Sequence, residues 1–365
     1  MIAWVVLVAV ILSFGISFFA VPMCRTLAFR LGMLDMPRRH KRHAEPTPLM
    51  GGVAIFLAIV LPSMLVLSLA RIWAATGIPW WIDDWQWLAV HIPGAADRAP
   101  MGLTVLIGAF ALHVLGLLDD KYDLGPWVKL GVQLAAAVLV VWLGGLRVLT
   151  LAGPWMSFLG TVLWLVLLTN SFNFLDNMDG LATSVAAICT GALLAVAMGG
   201  GQFFVAGWCC LILGALLGFL PYNFPPARMF MGDAGSLPIG FLLGVVSVLI
   251  TYVSPGSEQV GYAVFVPLVV MAVPIYDTVS VMWIRIREKR NPMLGDRRHF
   301  SHRLLRRGMS KRTALYTICL CTATTALSAL ILPHVSSTQV AWMVFGQTVA
   351  VLGIIALLES GGARR

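Results

Sequence analysis

Charge is what this sequence has least of. Only 11% of its 365 residues are charged, while 59% are hydrophobic. An ordinary soluble domain carries roughly 25% charged residues, so a water-soluble protein is excluded. Dyad alternation of polar and apolar residues is also missing, which excludes a transmembrane β-barrel. The six cysteines (Cys24, Cys189, Cys209, Cys210, Cys319, Cys321) form no Cys-x-x-Cys pair and lie within or beside apolar runs. A thiolate metal site is therefore not expected, and the cysteines read as packing residues. Met1–Val21 lacks a basic leader and a small-residue cleavage site, so it is expected to remain as a helix. No repeat of 20–50 residues and no linker divides the chain, which reads as a single membrane domain over 1–365.

What is present is a series of about eleven apolar runs, each near the ~17–25 residues a helix needs to cross the hydrocarbon. They lie near 1–21, 51–69, 101–118, 128–144, 155–169, 181–197, 203–220, 236–254, 262–284, 313–333 and 338–358. The expected fold is all-α and polytopic, with about 11 transmembrane helices. Basic residues orient it. The alternate loops beginning with 22–50 hold 22 of the 25 lysines and arginines, leaving Arg71, Arg98 and Arg147 on the other side. By the positive-inside rule the N-terminus is outside and the C-terminus cytoplasmic. The net charge of +9 thus belongs to one face, where anionic lipid or an anionic substrate is the expected partner and nucleic acid is not. The loop from Arg71 to Pro100, rich in tryptophan, is expected to lie in the outer interface as an amphipathic anchor.

Five polar segments fall on the inner face, at 35–52, 119–130, 170–182, 221–240 and 285–308. The central one places Asn170, Asn173, Asp176 and Asp179 three residues apart after an apolar run. If helical geometry continues, they form one stripe of oxygen ligands suited to a hard cation. Asp119 and Asp120 end the third run, where two adjacent carboxylates need a cation, a proton or solvent; Lys121 and Lys129 are the nearby bases. Gly232-Asp233-Ala234-Gly235-Ser236 follows Pro225-Pro226 and reads as a helix start, whose free N–H groups favour phosphate. Gly51-Gly52 allows close approach of the backbone to a ligand or another helix. Asp277 is expected to pair with Arg285 or Arg287. His299 and His302 lack further zinc ligands nearby, so a nucleotide-phosphate contact is the better reading.

Taken in order, these residues resemble the polyprenyl-phosphate N-acetylhexosamine-1-phosphate transferases, over about residues 30 to 310. The carrying signatures are Asp35…Lys41-Arg-His43-x-x-Pro-Thr47-Pro-x-x-Gly-Gly, Asp119-Asp120…Lys129-Leu, Asn170-x-x-Asn173-x-x-Asp176-x-x-Asp179-Gly-Leu-Ala, Met-Gly-Asp233-Ala-Gly-Ser-Leu and Asp296-Arg-x-His299-x-x-His302. The resemblance implies transfer of a sugar 1-phosphate, most often N-acetylglucosamine, from a UDP-sugar to undecaprenyl or another polyprenyl phosphate. It implies release of UMP, a need for Mg2+ with Mn2+ as the alternative, and a place in the bacterial inner membrane among its lipids. A homodimer is left open. Residue by residue, it makes Asp233 and Asn173 metal contacts, and Asp119 and Asp120 metal or acceptor-activating groups. Lys129, Lys41 and Thr47 would face phosphate, Asp176 and Asp179 would be nucleotide- and metal-site acids, and His299, His302 and Arg303 would lie over the nucleotide sugar. His43, Asn170 and Arg297 stand in the same signatures as substrate-binding residues. Two positions depart from the family pattern: Asn177 stands for the usual Gly, and Ser301 for a middle His of the small-sugar branch. The muramoyl-pentapeptide branch is the alternative. A secondary transporter would gather its ionisable residues near the bilayer midplane, not at inner helix ends.

Overall fold

The computed structural model describes residues 2–35, 46–80, 86–148, 153–252, 261–289 and 298–360. Within them the fold is almost wholly helical. The helices are α1 (Ile2–Leu31), α2 (Gly51–Thr76), α3 (Gln86–Tyr122), α4 (Pro126–Leu143), α5 (Pro154–Leu175), α6 (Leu181–Gly199), α7 (Phe203–Asn223), α8 (Asp233–Leu249), α9 (Val266–Val270), α10 (Ala272–Arg287), α11 (Phe300–Arg306), α12 (Lys311–Ala329) and α13 (Thr338–Ser360). A two-residue antiparallel ladder, β1 (Leu34–Asp35) with β2 (Thr47–Pro48), closes the first polar loop; Leu34 faces Pro48 and Asp35 faces Thr47.

Every apolar run is helical, but the expectation of eleven plain spans needs correction. Among the described residues, 9 helices are long and apolar enough to cross a membrane. The run at 262–284 is broken, with a 61° bend between its halves at Met271. Pro274 has no N–H to give the Val270 carbonyl, which accepts instead from the Cys189 thiol at 3.4 Å. The run at 236–254 is the shorter helix α8, of 17 residues, or about 26 Å. It needs no lipid-spanning length, because it is surrounded by protein: every residue from Ala234 to Ser247 is buried. The outer loop is also shorter than expected. Helix α2 continues to Thr76 and α3 begins at Gln86, so Pro93 and Pro100 lie inside a helix. Asp83-Asp84 falls outside the described residues.

Small residues set how closely the helices approach. Helix α1 packs along α7, where a Cβ on Gly214 would lie 2.4 Å from the Val10 carbonyl oxygen and one on Gly218 2.4 Å from that of Phe14. Ser13 of α1 donates to the Leu211 carbonyl at 2.6 Å, so a polar side chain in an apolar helix finds its partner across this contact. Gly240 of α8 likewise lets α5 come within 2.5 Å of its absent Cβ, at the Leu168 carbonyl. The result is a bundle with α8 at its centre, flanked by α2, α3, α5, α6 and α7.

Candidate active site

The site is built on the first turn of α8. Gly232, with φ +69°, turns the chain into the helix, and Asp233 is its first residue. The N–H groups of Asp233 and Ala234 donate to the two oxygens of Asp120, at 2.8 and 3.2 Å. The free N–H groups expected to favour phosphate are therefore taken by a carboxylate, which satisfies both the orphan donors and the helix dipole. His113, one turn-pair before Asp120 on α3, donates from Nδ1 to the Ala234 carbonyl at 2.7 Å and stacks on Phe56 with ring centroids 4.2 Å apart. Glycines allow this approach. A Cβ on Gly116 would lie 2.3 Å from the Asp233 carbonyl, and one on Gly52 2.2 Å from Gly235 N. The Gly51-Gly52 pair thus serves contact with another helix.

Around Asp233 the other signatures converge. Lys129, near the start of α4, places its ammonium 3.0 Å from Asp119 Oδ2 and 3.2 Å from Asp233 Oδ2. Asn173, on the last turn of α5, donates to Asp233 Oδ1 at 2.8 Å and to Ser236 Oγ at 3.0 Å. Asp119 Oδ1 accepts from Leu124 N at 2.9 Å, which fixes the acid against the α3–α4 turn. Asp176 caps α5 and feels the same cluster. Burial pushes its carboxyl well above the usual range, the charges of Asp233 and Asp120 push further, and the Gly232 N–H relieves this in part. Lys121, the other base near Asp119, is exposed and lies over the Tyr122 ring.

The stripe expected along 170–179 is interrupted because α5 ends at Leu175. Asn173 alone reaches Asp233. Asn170 exchanges hydrogen bonds with the buried Gln133 of α4, donating to its Oε1 at 2.6 Å. Asp179 lies in the turn before α6, where it meets Lys311 Nζ at 3.0 Å and Ala227 N at 3.3 Å. Thr47 is buried on β2, beside Pro48, whose carbonyl accepts from Phe230 N at 2.9 Å. His302 is half-buried on α11. Arg303, expected over the nucleotide sugar, is held by Glu359 of α13 at 3.0 Å and donates to Ser280 at 2.7 Å. Ser301 donates to Asn177 Oδ1, so the two positions that depart from the family pattern touch one another. Lys41, His43 and Arg297 lie outside the described residues.

Sequence reasoning missed several partners. Asp277 accepts from His299 Nδ1 at 2.9 Å and from Phe300 N at 2.6 Å; its anticipated partners were arginines. Gln133 lies one turn beyond Lys129, and a glutamine in an apolar run was a readable signal. Lys311 and Glu359 come from segments too distant in sequence to be assigned.

The donor set fits a hard divalent cation by chemistry, since Asp233, Asp119, Asp176 and the Asn173 amide supply oxygen alone. Among the described residues no group of three His, Cys, Asp or Glu is arranged to hold a metal ion. That is compatible with magnesium, which commonly uses one or two carboxylates and completes its shell with water and substrate phosphates.

The sequence model for glycosyl transferase family 4 matches residues 103–251, which contain Asp119, Asp120, Lys129, Asn170, Asn173, Asp176, Asp179 and Asp233. Over 336 residues the chain is 31% identical to a probable undecaprenyl-phosphate N-acetylglucosaminyl 1-phosphate transferase of Bacillus subtilis, covering 90% of this chain and 85% of that protein. It is 32% identical over 379 residues to a decaprenyl-phosphate N-acetylglucosaminephosphotransferase of Mycobacterium tuberculosis, covering 95% of this chain and 87% of that one. It is 28% identical over 313 residues to the undecaprenyl-phosphate alpha-N-acetylglucosaminyl 1-phosphate transferase of Escherichia coli K12, with 82% and 76% covered. At that identity and extent, with the matched segment carrying the acids gathered around Asp233, this chain belongs to glycosyl transferase family 4.

Proposed function

We propose that the protein transfers N-acetylglucosamine 1-phosphate from UDP-N-acetylglucosamine to a polyprenyl phosphate, releasing UMP, at the cytoplasmic face of a bacterial inner membrane. The observation that carries this reading is the convergence of three separate signatures on Asp233, with the Lys129 ammonium held between two carboxylates. The names of the relatives support the acceptor class and the sugar.

Phosphoryl transfer between two anionic partners needs alignment and charge neutralisation more than covalent chemistry by the protein. Lys129 supplies fixed positive charge on one side of the cluster and keeps Asp119 and Asp233 close despite their repulsion. Asp120 holds the start of α8, so Asp233 is presented on a rigid element. Asn173 orients Asp233 by donating from its amide nitrogen, which leaves the amide oxygen as a neutral ligand. Asp233, Asn173 and Asp119 would hold magnesium, which when bound would neutralise charge on the transferring phosphates. Asp119 would also receive the acceptor's phosphate proton. A site where α3 and α5 end and α8 begins would let a water-soluble nucleotide meet a lipid phosphate that stays in the bilayer.

The test is UMP release by detergent-purified protein with undecaprenyl phosphate and magnesium, comparing UDP-N-acetylglucosamine, UDP-N-acetylgalactosamine and UDP-muramoyl-pentapeptide. Lipid- and metal-dependent release with N-acetylglucosamine is expected. Release with the pentapeptide alone would move the protein to the peptidoglycan branch, and no release with any donor would overturn the reading.

A further inference from the structure

We propose that Asp277 is a positioning residue that fixes the tautomer and the place of His299, so that Nε2 is the ring nitrogen left for the nucleotide donor; the proposal rests on the function given above. Both groups are almost wholly buried, Asp277 at 1% exposure and His299 at 4%. Asp277 stands on α10, beyond the bend at Met271, and its two oxygens reach across to the start of α11. Oδ2 takes the His299 Nδ1 contact at 2.9 Å, and Oδ1 accepts the Phe300 N–H at 2.6 Å. A carboxylate only accepts, so the proton in the first contact lies on Nδ1. Nε2 then remains for other chemistry, as an acceptor in the neutral ring and a donor in the protonated one.

The placement matters as much as the proton. His299 packs edge-on against Phe174, with ring centroids 5.5 Å apart. Phe174 is the neighbour of Asn173, whose amide holds Asp233. Asp277 therefore seats an imidazole beside the residue pair at the centre of the site, although α10 contributes no signature residue of its own. Phe174 also carries the Arg285 guanidinium at 5.4 Å on its ring, so the ring that abuts His299 is itself held. A hydrogen-bonded carboxylate behind a histidine is the usual device for orienting an imidazole that must act through its far nitrogen.

The informative variant is Asp277→Asn. The amide oxygen still accepts the Phe300 N–H, so the start of α11 keeps its anchor. The amide nitrogen can only donate to Nδ1, which forces the ring proton to Nε2. Loss of an orienting partner of this kind lowers activity about 10–100-fold. We expect kcat/KM for UDP-N-acetylglucosamine to fall by that factor while the KM for undecaprenyl phosphate is unchanged. We also expect the loss to vanish in the His299→Gln background, since Asp277 acts through that ring. A purely structural role would instead reduce the amount of active protein, leave both KM values alone, and multiply with His299→Gln.

The tautomer is read directly by 15N NMR of histidine-labelled full-length protein in detergent, with the His299 signals assigned by their loss in His299→Gln. A proton on Nδ1 in the natural protein is expected. A ring protonated on Nε2 alone would overturn the proposal, as would Asp277→Asn activity within twofold of the natural protein or losses that multiply. If the natural protein releases no UMP with any donor, the functional reading fails and the NMR measurement still decides the orientation of His299. If Asp277→Asn does not yield folded protein, the same measurement on the natural chain decides.

Discussion

Lys129 touches two carboxylates from different helices, and no other described base contacts Asp233. Replacing it with alanine removes the fixed positive charge between Asp119 and Asp233. Lys129→Ala is expected to lower kcat for UMP release about 10²–10³-fold, the scale set by removing one fixed electrostatic group from a site. Near-normal kinetics in folded protein would remove Lys129 from the site. Asp233→Asn should abolish turnover and leave the protein folded, and substantial residual activity at saturating magnesium would count against its role as a ligand. Asp176 gives a pH prediction. Its carboxyl titrates above the unfolded value, so the folded state binds the extra proton and stability falls as pH rises from about 4 through the folded pKa. A divalent cation bound at the cluster would oppose this loss. Added magnesium should therefore raise Tm more at pH 8 than at pH 5.5, and the difference should shrink in Asp176→Asn; an equal rise at both pH values would separate Asp176 from the cation.

At the scale of elements, the site depends on three helix ends being brought closer than ordinary side chains permit. Gly52 of α2 lies against Gly235 of α8, and a Cβ there would meet backbone at 2.2 Å, where nothing flexible can yield. Gly52→Ala must push α2 off α8, at a cost of about 1–3 kcal/mol. The shift is transmitted to Asp233, so activity should fall along with Tm. Gly191→Ala on α6 is the control, because nothing lies within 4 Å of its Cβ. It should leave activity intact and raise stability by up to about 1 kcal/mol from helix propensity. Thermal unfolding in detergent with parallel UMP release checks both, and a Gly52→Ala protein as stable and active as the natural one would show that the close approach is dispensable. Helix α11 depends on contacts of another kind. It is tied to α10 through Asp277, to the turn after α5 through Asn177 and to α13 through Glu359. The last helix of the chain thus supports the histidine-bearing one, a relation without any trace in local sequence.

For the whole molecule, the described parts of the polar segments at the ends of α2, α3, α5, α7 and α10 gather at one end of the bundle. In the sequence, the alternate loops to which these segments belong hold 22 basic residues against 3. If the bent pair α9–α10 and the buried α8 each cross, the termini lie on opposite sides. A fluorescent reporter fused after Arg365 should then fold and fluoresce in the cytoplasm, and an N-terminal periplasmic reporter should be active outside; both termini on one side would require one of these two segments to be re-entrant. Composition together with the lengths of the apolar runs determined that the chain is a polytopic helical membrane protein. Local motifs singled out candidate acids, several of which the fold brings together around Asp233, since hydrophobic length and isolated polar clusters are properties of contiguous residues. The Asn170 to Asp179 stripe could not be read correctly, because its continuation required α5 to run past Leu175. The partners of Asp277, Asp179, Arg303 and the α8 N-terminus were likewise invisible. Each is a contact between segments far apart in the chain, and a buried polar group takes whichever partner the packing of helices brings within about 3 Å. The sequence by itself thus decided the class of protein and supplied the candidate residues of its site, and the tertiary structure decided which of those residues meet and which unforeseen partners they take.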